Sequence, residues 1–375
     1  MTSQSPNVAS IEVISPGRIN LIGEHTDYND GYVLPAAVQL HVYVHLRRNN
    51  SENKCTLFSN TLQAGLEADL ENLQPGKGWE NYVLGVLSEV KKRTPKLRGF
   101  DGRLDSDLPA GAGLSSSAAL ECGLAFGLNE LFNLNLSPME IIRLSQLAEH
   151  RFAGTQCGIL DQFACVMGRK DHFILLDCRS MEYYYLPSNL GDYQLLLINS
   201  KISHSHSESG YNQRLKECQK GVAILQERFP GIRSLRDASL EHLQAVRDTL
   251  PQTIFRRCRY VIEENARVLK AVECLEHGDL EALGNLLTQT HRGLQKLYEV
   301  SCPELDFLVE NANTLPGVLG ARMMGGGFGG CCLIMVHRDA FAEVQKHLLS
   351  AYFRSFDLKA EPLEVRLGDG VRLRS

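Results

Sequence analysis

The stretch LPAGAGLSSSAAL, residues 108–120, constrains this chain more than any other. Glycines and alanines lead into three serines, and Leu120, Leu124, Leu128, Leu131 and Phe132 then recur at helical spacing. Small residues let backbone amides approach a ligand closely, and the N-terminus of the helix that follows carries partial positive charge. The amides of Gly111, Ala112, Gly113 and Leu114 are therefore placed to hold an anion. A serine N-cap after a glycine turn is the plainer alternative. The pattern GxxxxGK[ST] is absent, which sets aside a P-loop NTPase.

Around this turn the chain alternates strand and helix signals. IEVI (11–14) reads as a short strand, and LHVYVHLR (40–47) alternates Leu40, Val42, Val44 and Leu46 with polar neighbours, as a half-buried strand does. Ser137, Pro138 and Glu140 form a capping box that starts a helix running to about Phe152. HFILLDC (172–178) and DYQLLLINS (192–200) read as buried strands. A polar stretch (201–214) precedes amphipathic helices between about 211 and 313, and a glycine loop in 320–336 feeds a strand before a last helix near 339–355. The expected class is α+β, with lobes 1–185 and 186–375 and a cleft between them.

Composition excludes several functions. A net charge of -5 without a basic run argues against nucleic acid, and no apolar run is long enough to span a bilayer. The segment MTSQSPNVAS lacks the marks of a signal peptide. An odd number of cysteines, 11 with no CxxC, fits reduced thiols in a cytoplasmic protein.

Three further stretches carry chemistry. PGRINLIGEHTDYNDGYVLP (16–35) gathers Arg18, Glu24, His25, Asp27 and Tyr28 between glycines, a density of polar groups that suits a sugar or, equally, a solvated turn with local ion pairs. AEHRFAGTQCGILDQFACVMG (148–168) places Glu149 on the inward face of the capped helix, where a carboxylate needs a cation. Asp161 in the same stretch sits among Ile159, Leu160 and Phe163, where a cap or structural ion pair is the simpler role. RMMGGGFGGC (322–331) packs five glycines into six positions, as in an ordered loop against backbone or phosphate. His204 and His206 are too few to make a metal site.

Taken in this order, PGRINLIGEHTDYNDG, GAGLSSSAA, CGILDQF and GGGFGGC resemble the GHMP small-molecule kinases over almost the whole chain, from about Ser15 to Val336. The resemblance implies a two-lobed fold, the first lobe similar to the second domain of a ribosomal protein and the second ferredoxin-like. It implies ATP and galactose as substrates, Mg²⁺ as cofactor, and transfer to the anomeric hydroxyl. Carried over, Asp161 matches the catalytic base and Arg18 its cationic neighbour. Glu24, His25, Thr26, Asp27, Gly158 and Tyr211 match sugar contacts. Gly111, Ala112, Gly113, Leu114, Ser115, Ser116 and Ser117 match the nucleotide loop, with Ser59 and Trp79 on the adenine side. Ser117 and Glu149 match the magnesium ligands.

The chain departs from that pattern at three residues. Met324 replaces a threonine before the glycines, Gly210 an acidic residue, and Leu215 an arginine. The segment ahead of the first motif is also short. Kinases of N-acetylgalactosamine, arabinose or a uronic acid are the neighbouring alternatives; Thr26 and the GGGFGG loop favour galactose over the acetamido sugar. Some relatives only sense galactose and ATP, and these lack the small pair that Ala118 and Ala119 supply here. A monomer is expected, with a homodimer left open.

Overall fold

The computed structural model describes residues 10–109, 111–203 and 207–374; His204 and His206 lie outside them. β1 (Ser10–Asn20) takes in IEVI, and residues 21–31 turn the chain back into β2 (Tyr32–Val33) and β3 (Pro35–Arg48). In β3, Val42, Val44 and Leu46 are buried while His41, Tyr43 and His45 stay half-exposed, the alternation a pleated strand imposes. β4 (Lys54–Ser59), β5 (Ala64–Asp69), α1 (Glu80–Arg93) and β6 (Phe100–Ser106) follow. β1, β3, β4, β5 and β6 belong to one sheet in which β3 joins β1 to β6 and the β4–β6 pair alone is parallel.

α2 (Ser116–Phe132) lies across β1 and β3 and buries Leu124, Leu128, Leu131 and Phe132. Its close approach depends on two glycines. A Cβ at Gly123 would come within 2.8 Å of Ser15 Cβ, and one at Gly127 within 2.8 Å of Leu46 Cδ1. α3 (Pro138–Ala148) begins at the expected capping box, with Glu140 Oε2 accepting from Ser137 N at 2.8 Å. It does not run on as an α-helix to Phe152. The ladder widens to a π-turn over Glu149–Ala153, closed by Gly154 at φ 82°. α4 (Leu160–Met167) leads to β7 (His172–Asp177) and β8 (Tyr183–Pro187), which with β2 make a three-stranded sheet.

The second lobe is built on β9 (Tyr193–Ser203). α5 (Ser207–Arg228), α6 (Leu240–Ala245), α7 (Gln252–His277), α8 (Leu280–Gly293) and α9 (Pro303–Ala312) precede β10 (Val318–Met323) and β11 (Gly329–His337). α10 (Phe341–Phe356) and β12 (Glu361–Glu364) complete it, in an antiparallel sheet of order β10-β11-β9-β12. Leu195, Leu197, Leu333 and Met335 join one apolar cluster, and Leu196, Ile198, Ile334 and Val336 the other. Burial on both faces explains why these strands read as unbroken apolar runs.

The polar stretch 201–214 proves to be largely helical, because α5 starts at Ser207. Its polar residues find tertiary partners: Arg214 Nε donates to Tyr298 O at 2.6 Å, and Asn212 Nδ2 to Gly154 O at 3.1 Å. The end of the chain then returns to the first lobe, where Gly368 N donates to Ala37 O at 2.9 Å and β13 (Arg372–Leu373) pairs with β1. The cysteines are all free and mostly buried. Among the described residues, no helix is long and apolar enough to cross a membrane.

Candidate active site

The loop between β1 and β2 is held almost entirely by hydrogen bonds to its backbone. Thr26 Oγ1 donates to Gly23 O at 2.8 Å and Tyr32 O at 2.6 Å, and Asn29 Nδ2 to His25 O at 2.9 Å. One face of α7 supplies further bonds. Tyr260 Oη donates to Glu24 O at 3.0 Å, while Glu264 Oε1 accepts from Gly23 N and Asn265 Oδ1 from Tyr32 N, each at 3.0 Å. Gly23 is required here: its φ is 103°, and a Cβ would meet Tyr32 O at 2.8 Å.

Glu24 is fully engaged within the protein. Oε1 accepts from Arg322 Nη2 at 2.9 Å and Gly325 N at 3.0 Å, and Oε2 accepts from Asn20 Nδ2 at 2.8 Å, with Arg322 Nη1 2.8 Å away as an ion-pair contact. Both carboxylate oxygens are thus engaged by the protein. Burial raises the Glu24 pKa above the ordinary value against the pull of Arg322. Arg322 also donates to the carbonyls of Leu21 and Met323 at 2.8 and 2.7 Å, and to that of Asn20. It thereby ties the strand before the third glycine loop to the end of β1.

Arg18 stands at a bulge in β1 and grips Asp161 with two prongs, Nε to Oδ1 at 2.7 Å and Nη2 to Oδ2 at 3.0 Å. Its Nη1 donates to Gly113 O at 2.5 Å and its backbone N to Leu114 O at 3.0 Å, so the glycine turn is fastened to the same arginine. Asp161 lies in the first turn of α4, where the helix dipole favours a negative charge. Ser115 precedes α2 in the left-handed conformation at φ 56°, and its side chain makes no cap. The Ser115 hydroxyl donates instead to Asp161 Oδ2 at 2.5 Å. The first amides of α2 are thus left without a side-chain cap. A serine N-cap is therefore not the role of this stretch.

Three adjoining cavities meet along these elements. The first, open to solvent, is walled by Asn20, Glu24, His25, Asp27, Glu149, Thr155, Cys157, Gly158 and Tyr211, together with Arg18 and Asp161. The second is walled by Gly111, Ala112, Gly113, Leu114, Ser115, Ser116 and Ser117 on one side and Gly325 and Gly326 on the other. Arg18 and Asp161 line both. The third is more apolar and runs from Ser116 and Ser117 to Ser59, Leu62, Trp79 and Tyr82.

Most of the expected site residues therefore converge, with one correction. Thr26 is buried and lines none of these cavities, since its hydroxyl already serves two carbonyls; it shapes the loop rather than touching a ligand. Met324 faces away as well. Its side chain is 1% exposed and packs in the apolar core, so no hydroxyl is missing from the cavity wall at this position. Gly210 has a packing reason: a Cβ there would lie 2.6 Å from the Phe328 ring.

The ionisable groups of the first cavity are strongly shifted. Burial, aided by the charge of Asp161, pushes Asp27 up to about 7. Burial and the Arg214 guanidinium hold His25 down at about 3, so its imidazole is neutral. Glu149 is buried at the start of the π-turn and accepts from Gln162 Nε2 at 2.9 Å. Ser117 and Glu149 offer hard oxygen donors of the kind Mg²⁺ prefers. They line different cavities, and no group of three or more His, Cys, Asp or Glu side chains among the described residues gathers as a metal site.

Sequence reasoning missed Asn20, Thr155, Cys157 and Arg322. Asn20 and Cys157 lie within the quoted motifs beside residues that were singled out, and Arg322 is the first residue of RMMGGGFGGC. Glu264 and Asn265 carried no local signal, because their role depends on docking of α7.

Comparison with known proteins agrees with this geometry. Residues 81–169 match the family GHMP kinases N terminal domain, residues 271–355 match GHMP kinases C terminal, and residues 5–48 match the galactokinase galactose-binding signature. The galactokinase of Thermosipho africanus is 40% identical over 361 residues, spanning 96% of this chain and 99% of that one. That of Thermotoga neapolitana is 41% identical over 362 residues, with the same coverage. Among solved structures, Lactococcus lactis galactokinase complexed with galactose superposes with a TM-score of 0.92 at 36% identity, covering 97% of this chain and 95% of that one. The L. major mevalonate kinase shares the fold, with a TM-score of 0.65 at 18% identity, covering 97% and 98%.

Proposed function

The chain belongs to the galactokinase family of the GHMP kinases, and on that premise we propose that it transfers the γ-phosphoryl group of ATP to the anomeric hydroxyl of D-galactose. The products are α-D-galactose 1-phosphate and ADP. The observation that carries this reading is the position of Asp161 and Arg18 on the wall common to the first cavity and the glycine-serine cradle. A sugar hydroxyl in the first cavity and a phosphate in the second would meet at that pair.

Galactose occupies the first cavity, with His25, Asp27, Gly158 and Tyr211 as its contacts and Glu24 bracing the wall. A direct bond from the sugar to Glu24 would compete with its three protein partners, Asn20, Arg322 and Gly325. The triphosphate lies on the amides of Gly111–Ser117 and the N-terminus of α2, and the adenine lies in the cleft of Ser59 and Trp79. Asp161 accepts the proton of the attacking hydroxyl as the O–P bond to the γ-phosphorus forms and the bond to the β-phosphate oxygen breaks. Arg18 holds the carboxylate in place and offsets the negative charge that gathers on the transferred group. Ser117 and Glu149 would hold Mg²⁺, which when bound would supply further charge neutralisation. The lobes divide between β8 and β9, a little beyond 185/186, since a boundary there would split β8, and the enzyme works as a cytoplasmic monomer.

The test is ADP release with Mg-ATP across D-galactose, N-acetylgalactosamine, L-arabinose and D-galacturonate. Turnover that depends on galactose is expected. Turnover with another of these sugars and not with galactose would replace the substrate assignment.

A further inference from the structure

From His25 in the wall of the sugar cavity runs a line of hydrogen-bonding groups whose further members, Tyr28, Tyr298 and Cys218, the reaction itself does not use. His25 Nδ1 lies 2.8 Å from Tyr28 Oη, Tyr28 Oη lies 2.8 Å from Tyr298 Oη, and Tyr298 Oη lies 3.2 Å from Cys218 Sγ. The line crosses from the first lobe to the second. Tyr298 and Cys218 are essentially inaccessible, and Tyr298 sits at the end of a π-turn after α8, stacked 4.8 Å from the His25 ring and 4.7 Å from that of Tyr260. The other ring nitrogen, His25 Nε2, is buried without a hydrogen bond of good geometry, on a residue that walls the cavity, and the backbone of Gly326 is the polar group beside the ring.

We infer that Tyr298, acting through Tyr28, fixes the tautomer of His25 so that Nε2 carries the proton and presents a donor to the sugar. It is a positioning residue, not a catalytic one.

The polarity of the line follows from donor and acceptor strengths. Each phenol has one proton to give, so the line must run one way or the other. Running toward His25, Cys218 donates to Tyr298, Tyr298 to Tyr28, and Tyr28 to the lone pair of Nδ1. Running away, it ends with Tyr298 donating to a thiol sulfur, a weak acceptor, and leaves no acceptor at the imidazole for Tyr28. The first arrangement places the strongest acceptor, the imidazole nitrogen, opposite a phenol. Burial pushes the Cys218 thiol up to about 11, so the far end of the line carries a protonated thiol, with Asn29 as a second neighbour of the sulfur. With His25 neutral and Nδ1 accepting, the proton resides on Nε2. Its natural partner is a hydroxyl oxygen of the ligand.

This inference rests on the cavity being the sugar site, but half of its test does not. Nitrogen-15 spectra of histidine-labelled protein report the tautomer directly, with the His25 signal assigned by its loss in His25→Asn. Wild type is expected to show Nε2–H without any ligand. Tyr298→Phe keeps the ring and its stacking but removes the hydroxyl. It should shift the His25 signals toward the Nδ1–H form and raise KM for galactose about three- to tenfold, with KM for ATP and kcat within about twofold. Cys218→Ser, which keeps a donor at the end of the line, should retain the wild-type tautomer. An Nδ1–H form in wild type would overturn the inference, as would Tyr298→Phe that changes neither the His25 signals nor KM for galactose. Failure of galactose turnover in wild type, with the tautomer as stated, would count against the substrate assignment and not against the role of Tyr298.

Discussion

Ser115 and Asp161, 46 residues apart, are joined by a hydrogen bond of 2.5 Å from hydroxyl to carboxylate, although Ser115 occupies the N-cap position of a 17-residue helix. The serine that should close the helix end is turned to the proposed base, and the helix end is left open to the cradle. Placing the backbone of Ser115 in the left-handed region makes this possible, since it swings the side chain away from the amides of the first turn.

Ser115→Ala separates the two roles. Loss of an ordinary cap would cost about 1 kcal/mol of stability. Here the expected change in melting temperature is negligible, while kcat falls several-fold through loss of a hydrogen bond to the base. Thermal melts beside steady-state kinetics decide between them.

Gly158→Ala should damage sugar binding selectively. A Cβ at this position would lie 1.8 Å from Asp27 Oδ2, so the carboxylate must leave its place in the cavity wall. KM for galactose is expected to rise about tenfold or more, with KM for ATP little changed, because the nucleotide cradle does not include Asp27. Equal effects on both substrates would contradict the separation of the cavities.

The raised pKa of Asp27 has a signature in folding. Folded Asp27 holds its proton up to about 7, while in the unfolded chain it is released near the ordinary value of about 3.9. Between these limits the folded state binds more protons than the unfolded state, so stability declines as pH rises, and this contribution is level above about 7. The stability of wild type relative to Asp27→Asn should therefore fall between pH 4 and 7 and be constant above, as denaturant titrations at several pH values will show.

Met324→Thr, a change toward the residue expected at this position, should not improve the enzyme. The methionine side chain is in the core, and its truncation to a hydroxyl-bearing residue is expected to cost about 1–3 kcal/mol. Denaturant midpoints should drop while kcat stays within about twofold. A clear gain in kcat would mean that residue 324 reaches the reacting phosphates.

How legible the site was in the sequence depended on whether its chemistry was local. Gly111–Ser117 and the Glu24–Asp27 cluster are each one short segment, so their composition made them candidates and their order along the chain, matched to the family, singled them out. Strands buried on both faces and the capping box at Ser137 were equally plain. What the sequence hid are partnerships across the fold. Arg322 binds Glu24 from 298 residues away, and Glu264 reaches Gly23 across 241. No periodicity records such contacts. Thr26, which the resemblance placed among the sugar contacts, has its hydroxyl claimed by the carbonyls of Gly23 and Tyr32, a pairing no local pattern shows. The π-turn that ends α3 early was hidden because Glu149–Ala153 has good helix formers and no breaker before Gly154.

The account stands most directly on Asp161, and kcat of Asp161→Asn with galactose and Mg-ATP is the measurement that tests it. It is to be read beside galactose affinity by calorimetry and the far-ultraviolet melt. The amide keeps the shape and the link to Ser115 but cannot take the proton, so kcat should fall about 100-fold or more while the variant stays folded and still binds galactose. A folded variant that retains most of the wild-type rate would show that Asp161 is not the base.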